Sequence, residues 1–286
     1  MDKNKSMSVT IRDDELVTVT KAGEQTKVTY VKNKNTVART RKLNKDCYCD
    51  KDGIVHEYKH TENRQQSPKS VRKTLNKLCD IINANTTDLS RCRWVTLTYA
   101  DNMTDLSKLR ADWGNFCKKA HRKWGDFEYI KVIEPQVRGA WHLHVIMIFE
   151  GTAPYIANND LRKMWGNGYV KAKKMTGGVD FGLYFTASLS DIPLDEAKKA
   201  GIEVDNSKIS ANKKYVKGAR LELYPSNMRI FDRSNGVELP KKETMTKAQA
   251  DKCVKDMRKV SQYTTFPKDS AGHIVNMITI EKYKKE

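Results

Sequence analysis

Two histidines interrupt an otherwise apolar run, Trp141-His-Leu-His-Val-Ile-Met-Ile-Phe149. The run fits a buried β-strand, and because successive side chains of a strand point to opposite faces, His142 and His144 share one face. A second apolar run at about 127–134 precedes it, and the short stretch 135–140 between them contains a proline and a glycine. The pattern predicts two antiparallel strands joined by a tight turn.

The expected register of this hairpin brings a carboxylate to the histidines. If residues 137–139 form a three-residue loop, Glu134 lies directly opposite His142, on the face that also carries His144. One carboxylate and two imidazoles form the ligand set of a divalent-metal site with open positions. Gln136, two residues further along the same face, is an alternative ligand. A structural polar cluster is the alternative interpretation of the whole group.

Helical and strand patterns alternate along the rest of the chain. Apolar residues at helical spacing predict helices at about 69–84, 104–123, 157–165, 178–190 and 246–260. Alternating patterns predict further strands at about 94–99 and 168–173, two strands between 219 and 240, one at 274–280, and short hairpins within 7–32 and 47–58. We therefore expect an α+β fold with a mostly antiparallel sheet, peripheral β-hairpins and a C-terminal helix and strand.

The charge of the chain indicates the class of its partner. Among its 286 residues, 53 are Lys or Arg and 35 are Asp or Glu, which gives a net charge of +18. This surplus predicts a polyanionic partner, nucleic acid first and an anionic membrane second. No apolar run has the roughly 18 residues of a membrane span and no signal peptide is visible, so we expect a cytoplasmic protein without a membrane partner. The six cysteines are expected to be thiols.

A tyrosine and several cations complete the candidate site. Tyr184, in the predicted helix 178–190, is the candidate nucleophile, because a phenol can attack a phosphodiester once a metal polarises it. Tyr215 is the runner-up. Cations interleaved with aromatic residues suit phosphate neutralisation and base stacking, although a solvated surface is the alternative. The cations expected to contact DNA are Lys171, Lys173, Lys174, Lys214, Lys217 and Arg220.

Three segments in this order resemble the motifs of HUH endonucleases: 94–99, 134–145 and the Tyr184-Phe-Thr-Ala segment. The resemblance is closest to replication initiators of rolling-circle plasmids of Gram-positive bacteria, in which a segment similar to Lys217-Gly-Ala-Arg-Leu-Glu-Leu-Tyr-Pro225 follows the tyrosine. It covers about residues 54–240. Many relatives carry a lysine or a second tyrosine shortly after the first, where this chain has Ala187 and Ser188.

The resemblance implies a fold, a reaction and partners. The fold is a central five-stranded antiparallel sheet with helices. The tyrosine, here Tyr184, nicks one strand at a plasmid double-strand origin, stays on the 5′ phosphate and leaves a free 3′ hydroxyl as primer; the enzyme later rejoins the displaced strand. His142, His144 and Glu134 would hold Mg²⁺ or Mn²⁺. A host helicase and polymerase are implied partners, and a homodimer is left open.

Domain boundaries and alternative functions follow from the same observations. We divide the chain into a basic β-hairpin region at 1–60, with a DNA-recognition role, an endonuclease domain at 61–240 and a C-terminal extension at 241–286. A transposase or relaxase would use the same chemistry on another DNA target, but a relaxase usually has its tyrosine before the histidine pair. A non-catalytic DNA-binding regulator of replication or copy number is the alternative from another class.

Overall fold

The computed structural model describes residues 9–34, 40–50, 52–58, 61–176, 182, 189–199, 209–210, 214–226, 228–268 and 272–285. The chain divides into two compact units. We call them the terminal unit, Met1–His60 with Pro240–Glu286, and the central unit, Thr61–Leu239. The two ends of the chain, which the sequence pattern separates, thus belong to one unit.

The described elements alternate as the sequence indicates. The strands are β1 Leu16–Ala22, β2 Gln25–Val31, β3 Thr40–Lys42, β4 Cys47–Asp50, β5 Val55–Glu57, β6 Cys92–Thr98, β7 Phe127–Pro135, β8 Trp141–Phe149, β9 Val170–Lys174, β10 Ile192–Pro193, β11 Tyr215–Val216, β12 Phe231–Arg233, β13 Lys241–Thr246, β14 Arg258–Thr265 and β15 Ile278–Lys284. The α-helices are α1 Pro68–Asn85, α2 Leu106–Trp124, α3 Asn158–Trp165, α4 Leu194–Lys199 and α5 Lys247–Cys253.

The central unit is built on a five-stranded antiparallel sheet with strand order β12-β7-β8-β6-β9. This confirms the predicted α+β fold. The middle strand, β8, is apolar enough to be buried between neighbours: Leu143, Val145 and Met147 are fully buried. Each such side chain contributes roughly 1.5–3 kcal/mol by leaving water.

Helix α2 covers the face of the sheet opposite the histidines. Its Trp113 packs edge-on against Tyr129 of β7, with ring centroids 5.0 Å apart. The Lys131 ammonium lies 4.9 Å from the centre of the Trp113 ring, a cation–π contact that accommodates an otherwise buried charge. We call this covered side the rear face and the other side the histidine face.

The terminal unit has its own five-stranded antiparallel sheet, in the order β13-β1-β2-β15-β14. Its core forms on one side, where Val17, Val19 and Val28 pack with Ala250 and Val254 at helix α5. A separate three-stranded sheet contains β3, β4 and β5, and the predicted hairpin at 47–58 is its β4–β5 pair.

Two sequence predictions of local structure are wrong. Residues Ala219–Leu223 form a 3-10 helix instead of a strand, because Gly218 adopts a left-handed conformation (φ 73°) that ends the extended path. The predicted helix 246–260 ends at Cys253, and the residues from Arg258 onward form β14. There, pairing with β15 outweighs the helical spacing of the apolar residues.

Other predictions of element type lie partly outside the described residues. Of the predicted helix 178–190, Gly182, Leu189 and Ser190 are described, and all three are helical. The six cysteines are free. None of the helices in the described part of the chain combines the length and the hydrophobicity of a membrane span.

Candidate metal centre

The β7–β8 hairpin has the register that the sequence predicts, with Glu134 opposite His142. The turn closes through two hydrogen bonds, from the Gln136 amide to the Ala140 carbonyl and from the Gly139 amide to the Gln136 carbonyl, each 2.8 Å long. Gly139 has a φ of 95°, which a residue with a Cβ rarely adopts. The glycine therefore allows the tight turn that sets the register.

Three side chains converge on the histidine face beside this turn. The Nε2 atom of His142 lies 3.2 Å from Oε1 of Glu134, and the Nε2 atom of His144 lies 2.9 Å from Oε2 of Glu134. The ligand atoms of all three lie within 4.8 Å of one another. We call this group the His–Glu cluster. The carboxylate is buried, and the two imidazoles are only partly exposed.

The cluster fits a divalent cation. Neither Oε2 of Glu134 nor Nε2 of His142, both shielded from solvent, has a hydrogen bond of suitable direction. Buried polar atoms are almost always paired, so two orphaned atoms in one small cluster indicate a missing shared ligand. Two imidazole nitrogens and a carboxylate oxygen suit Mn²⁺ and related divalent ions.

The outer nitrogens of both imidazoles contact side chains that orient the rings. Thr96 Oγ1 lies 3.3 Å from Nδ1 of His144 and also accepts a hydrogen bond from Trp94 Nε1. Gln136 Nε2 lies 3.5 Å from Nδ1 of His142. Such contacts are typical around metal-binding histidines because they leave Nε2 facing the ion. Glu134, and not Gln136, approaches both Nε2 atoms.

Arg220 is the buried partner of the cluster carboxylate. Its NH1 atom lies 2.9 Å from Oε1 of Glu134 and donates to the Pro135 carbonyl at 2.7 Å. Its Nε atom donates to the Asp191 carbonyl at 3.2 Å. The sequence groups Arg220 with the DNA-contacting cations, but the side chain is buried and its charge faces Glu134. Sequence reasoning missed this role, although the apolar residues around Arg220 signal burial.

These contacts determine the electrostatics of the cluster. Burial alone would raise the pKa of Glu134, but the close polar contacts and charge of His142 and His144 outweigh it and hold the pKa below its ordinary value. Burial lowers the pKa of His142, and Glu134 opposes that effect. A carboxylate that stays ionised beside a largely neutral imidazole is the state that binds a cation.

The cross-strand register assigns the predicted cations of β9 to different faces. Lys171 pairs with Thr96, which pairs with His144, so Lys171 lies on the histidine face. Lys173 shares that face, roughly 10 Å or two strands from the β8 row. Lys174 pairs with Arg93 and lies on the rear face. All three lysines are exposed.

Tyr169 precedes β9, and its carbonyl accepts hydrogen bonds from the Thr98 amide and hydroxyl, both 2.9 Å long. Thr98 itself pairs with His142. The Tyr169 side chain is 58% exposed, which makes it an available aromatic surface beside the cluster. Lys214 and Lys217 are also exposed, in the segment that leads to Arg220.

The predicted nucleophile Tyr184 lies outside the described residues, as does Asp180. The described residues before and after Tyr184 have close neighbours. A Cβ at Gly182 would lie 2.6 Å from Sγ of Cys79 in α1, so this position packs directly on the helix. Asp191 binds Arg220 through its carbonyl, and its carboxylate accepts from the Gly218 amide.

The runner-up nucleophile, Tyr215, is described. It lies in β11 opposite Pro193, and 45% of its side chain is exposed. A different tyrosine, Tyr224, is fully buried and donates to the Ile133 carbonyl at 3.1 Å. Burial raises the pKa of Tyr224 well above its ordinary value. Tyr224 is therefore a structural residue of the central unit.

Comparison with known proteins connects this geometry to DNA replication. Residues 92–190 match the model of a family described as replication-associated protein ORF2. The matched range is about a third of the chain, and it contains the whole His–Glu cluster, β9 and Tyr184. Comparisons with curated proteins and with solved structures gave no significant match. The family match supports a replication-associated protein; the more specific resemblance to HUH endonucleases stays a prediction.

The cluster geometry predicts that the purified chain binds Mn²⁺ at one site, measurable by isothermal titration calorimetry. Replacing both imidazoles, His142→Ala with His144→Ala, should abolish this binding, because one carboxylate alone holds such an ion weakly. The matched control is His56→Ala with His273→Ala, which removes two histidines from the terminal unit and should leave the affinity unchanged. Equal Mn²⁺ affinity in both double variants would show that the cluster is not the site.

Proposed function

We propose that this chain is a rolling-circle replication initiator that nicks one DNA strand at an origin. The observation that carries the proposal is the convergence of Glu134, His142 and His144 within the range that matches replication-associated proteins. The net charge of +18 supports a nucleic-acid substrate. The histidine face would be the surface on which cleavage occurs.

The His–Glu cluster would hold Mg²⁺ or Mn²⁺. When bound, such an ion supplies Lewis-acid polarisation of the scissile phosphate, and the two imidazoles favour Mn²⁺ in vitro. Thr96 and Gln136 keep the imidazole rings in orientation. Arg220 holds the carboxylate of Glu134 through a buried ion pair. Because these contacts exist without the ion, the ligands need little rearrangement to bind it.

Tyr184 would carry the covalent step. Its phenolic oxygen forms a bond to phosphorus, and the bond between phosphorus and the 3′ oxygen breaks. The phenolic proton passes to solvent, and the 3′ oxygen takes up a proton to become the free 3′ hydroxyl. The 5′ phosphotyrosine retains the energy of the phosphodiester, so attack by a later 3′ hydroxyl reverses the step and rejoins the strand. The free 3′ hydroxyl would prime a host polymerase, behind a host helicase.

We propose Lys171, Lys173 and Tyr169 as the contacts for single-stranded DNA beside the cluster. The two lysines lie on the histidine face and can neutralise phosphates. The exposed Tyr169 ring offers a stacking surface, which in other proteins contributes about 1–3 kcal/mol per base. Lys214 and Lys217 are further exposed candidates, whereas Lys174 on the rear face and the buried Arg220 are less suited to phosphate contact.

The central test is the site of the covalent adduct. Supercoiled plasmid carrying candidate origins is incubated with the chain and Mn²⁺, and adducts are located by peptide mapping. Tyr184→Phe should retain DNA binding and lose both nicking and the adduct, because the phenolic oxygen is gone. Tyr215→Phe is the matched control and should nick like the unmodified chain.

Other outcomes of that test reject the proposal in distinct ways. An adduct on Tyr215 would show that the wrong tyrosine was assigned. DNA binding without a nick on supercoiled, duplex or single-stranded origin DNA would favour the non-catalytic replication regulator. Nicking that persists in excess EDTA would remove the role of the metal.

Neighbouring lysines of β9 test the DNA path, because they point to opposite faces. Lys171→Gln or Lys173→Gln should each weaken binding of a single-stranded oligonucleotide and reduce the slope of log K against log salt by about 0.7. Lys174→Gln removes the same charge from the rear face and should leave the slope unchanged. Equal effects of all three, measured by fluorescence anisotropy, would mean that only overall charge matters.

A further inference from the structure

The second sheet of the molecule, in the terminal unit, has one side covered by its core and one side that is strongly basic. The core residues Val17, Val19, Val28 and Tyr30 all lie on the side that packs with helix α5. Residues between them in sequence lie on the other side. We call that other side the basic face; its cations are Lys27, Lys242, Arg258, Lys282 and Lys284.

The strand register places these cations in rows. Lys242 pairs with Thr20, Thr20 pairs with Lys27, and Lys27 pairs with Lys282, so one row crosses four strands. In the next row Lys284 pairs with Arg258. Directly opposed residues lie about 5 Å apart, so the cations form a compact patch.

The carboxylates of the same strands lie on the other side of the sheet. Glu243 pairs with Val19 and Glu281 pairs with Val28, so both lie on the core side. Glu281 is buried there, where Lys259 lies 2.7 Å from its carboxylate. The described strand residues of the basic face thus include five cations and no carboxylate.

The neutral residues of the basic face are also suited to phosphate. A row of hydroxyl side chains lies beside the lysines: Thr244, Thr18 and Thr29, which pair in turn across β13, β1 and β2. Hydroxyl groups donate to phosphate oxygens in DNA complexes without reading sequence. Tyr263 ends this row, and the Lys282 ammonium lies 5.9 Å from the centre of its ring.

We propose that the basic face binds double-stranded DNA through its phosphate backbone. The five strands span roughly 19 Å, and a duplex carries one charge per about 1.7 Å of axis, so the face spans about eleven phosphates. Lysines and hydroxyls without a row of exposed aromatic rings favour backbone contact with a duplex over the base stacking of single strands. That this duplex is origin DNA rests on the proposed function.

The test uses a labelled duplex of about 30 base pairs and the full chain, with fluorescence anisotropy at several salt concentrations. In the variant Lys242→Gln, Lys282→Gln, Lys284→Gln, we expect at least a tenfold loss of duplex affinity and a salt slope smaller by about 2 to 3. The matched control, Lys21→Gln, Lys241→Gln, Lys252→Gln, removes three charges from the same unit outside the basic face and should change affinity less than twofold.

Further measurements on both variants separate this proposal from the proposed function. Both variants should cleave a single-stranded origin oligonucleotide at the unmodified rate, and both should keep the circular dichroism spectrum and melting temperature. If the chain never cleaves but only the basic-face variant loses duplex binding, the basic face stands and the nickase proposal fails.

Three results would overturn the proposal for the basic face. The first is equal duplex affinity in the two variants, whether both lose binding or both retain it. The second is a basic-face variant that loses binding to vesicles containing phosphatidylserine but retains the duplex, since the ligand would then be an anionic membrane. The third is a loss confined to single-stranded DNA.

Discussion

The antiparallel pairing of β7 with β8 is the constraint on which the candidate site depends. It places Glu134 opposite His142, and the alternation of β8 then brings His144 to the same face. A slip by one residue would turn the ligands to the rear face and the buried Leu143 to the histidine face. Burial of the apolar side of β8 therefore holds the polar side in register.

A buried carboxylate has a cost, and its neighbours offset it. Glu134 is surrounded by two imidazoles and the Arg220 guanidinium, which keep it ionised inside the central unit. Arg220 also binds the carbonyls of Pro135 and Asp191, and thereby links the cluster to the residues that follow the Tyr184 segment. The charge that binds a cation and the backbone that follows the nucleophile are thus held by one side chain.

The local pattern was sufficient to predict the hairpin register, because a short turn with Gly139 leaves few alternatives. It was not sufficient for Arg220, whose inward direction follows from the left-handed Gly218 and the 3-10 helix after it. The terminal sheet was harder still. Its β2 pairs with β15, about 250 residues away in sequence, so alternation predicted strands but not the shared basic face.

Diffraction from crystals of the chain grown with Mn²⁺, recorded near the manganese absorption edge, tests the metal centre most directly. The account predicts one strong anomalous peak among Nε2 of His142, Nε2 of His144 and the Glu134 carboxylate, at coordination distances of about 2.0–2.4 Å. A map at saturating Mn²⁺ with no peak there, or with its strongest peak at other residues, would contradict the account.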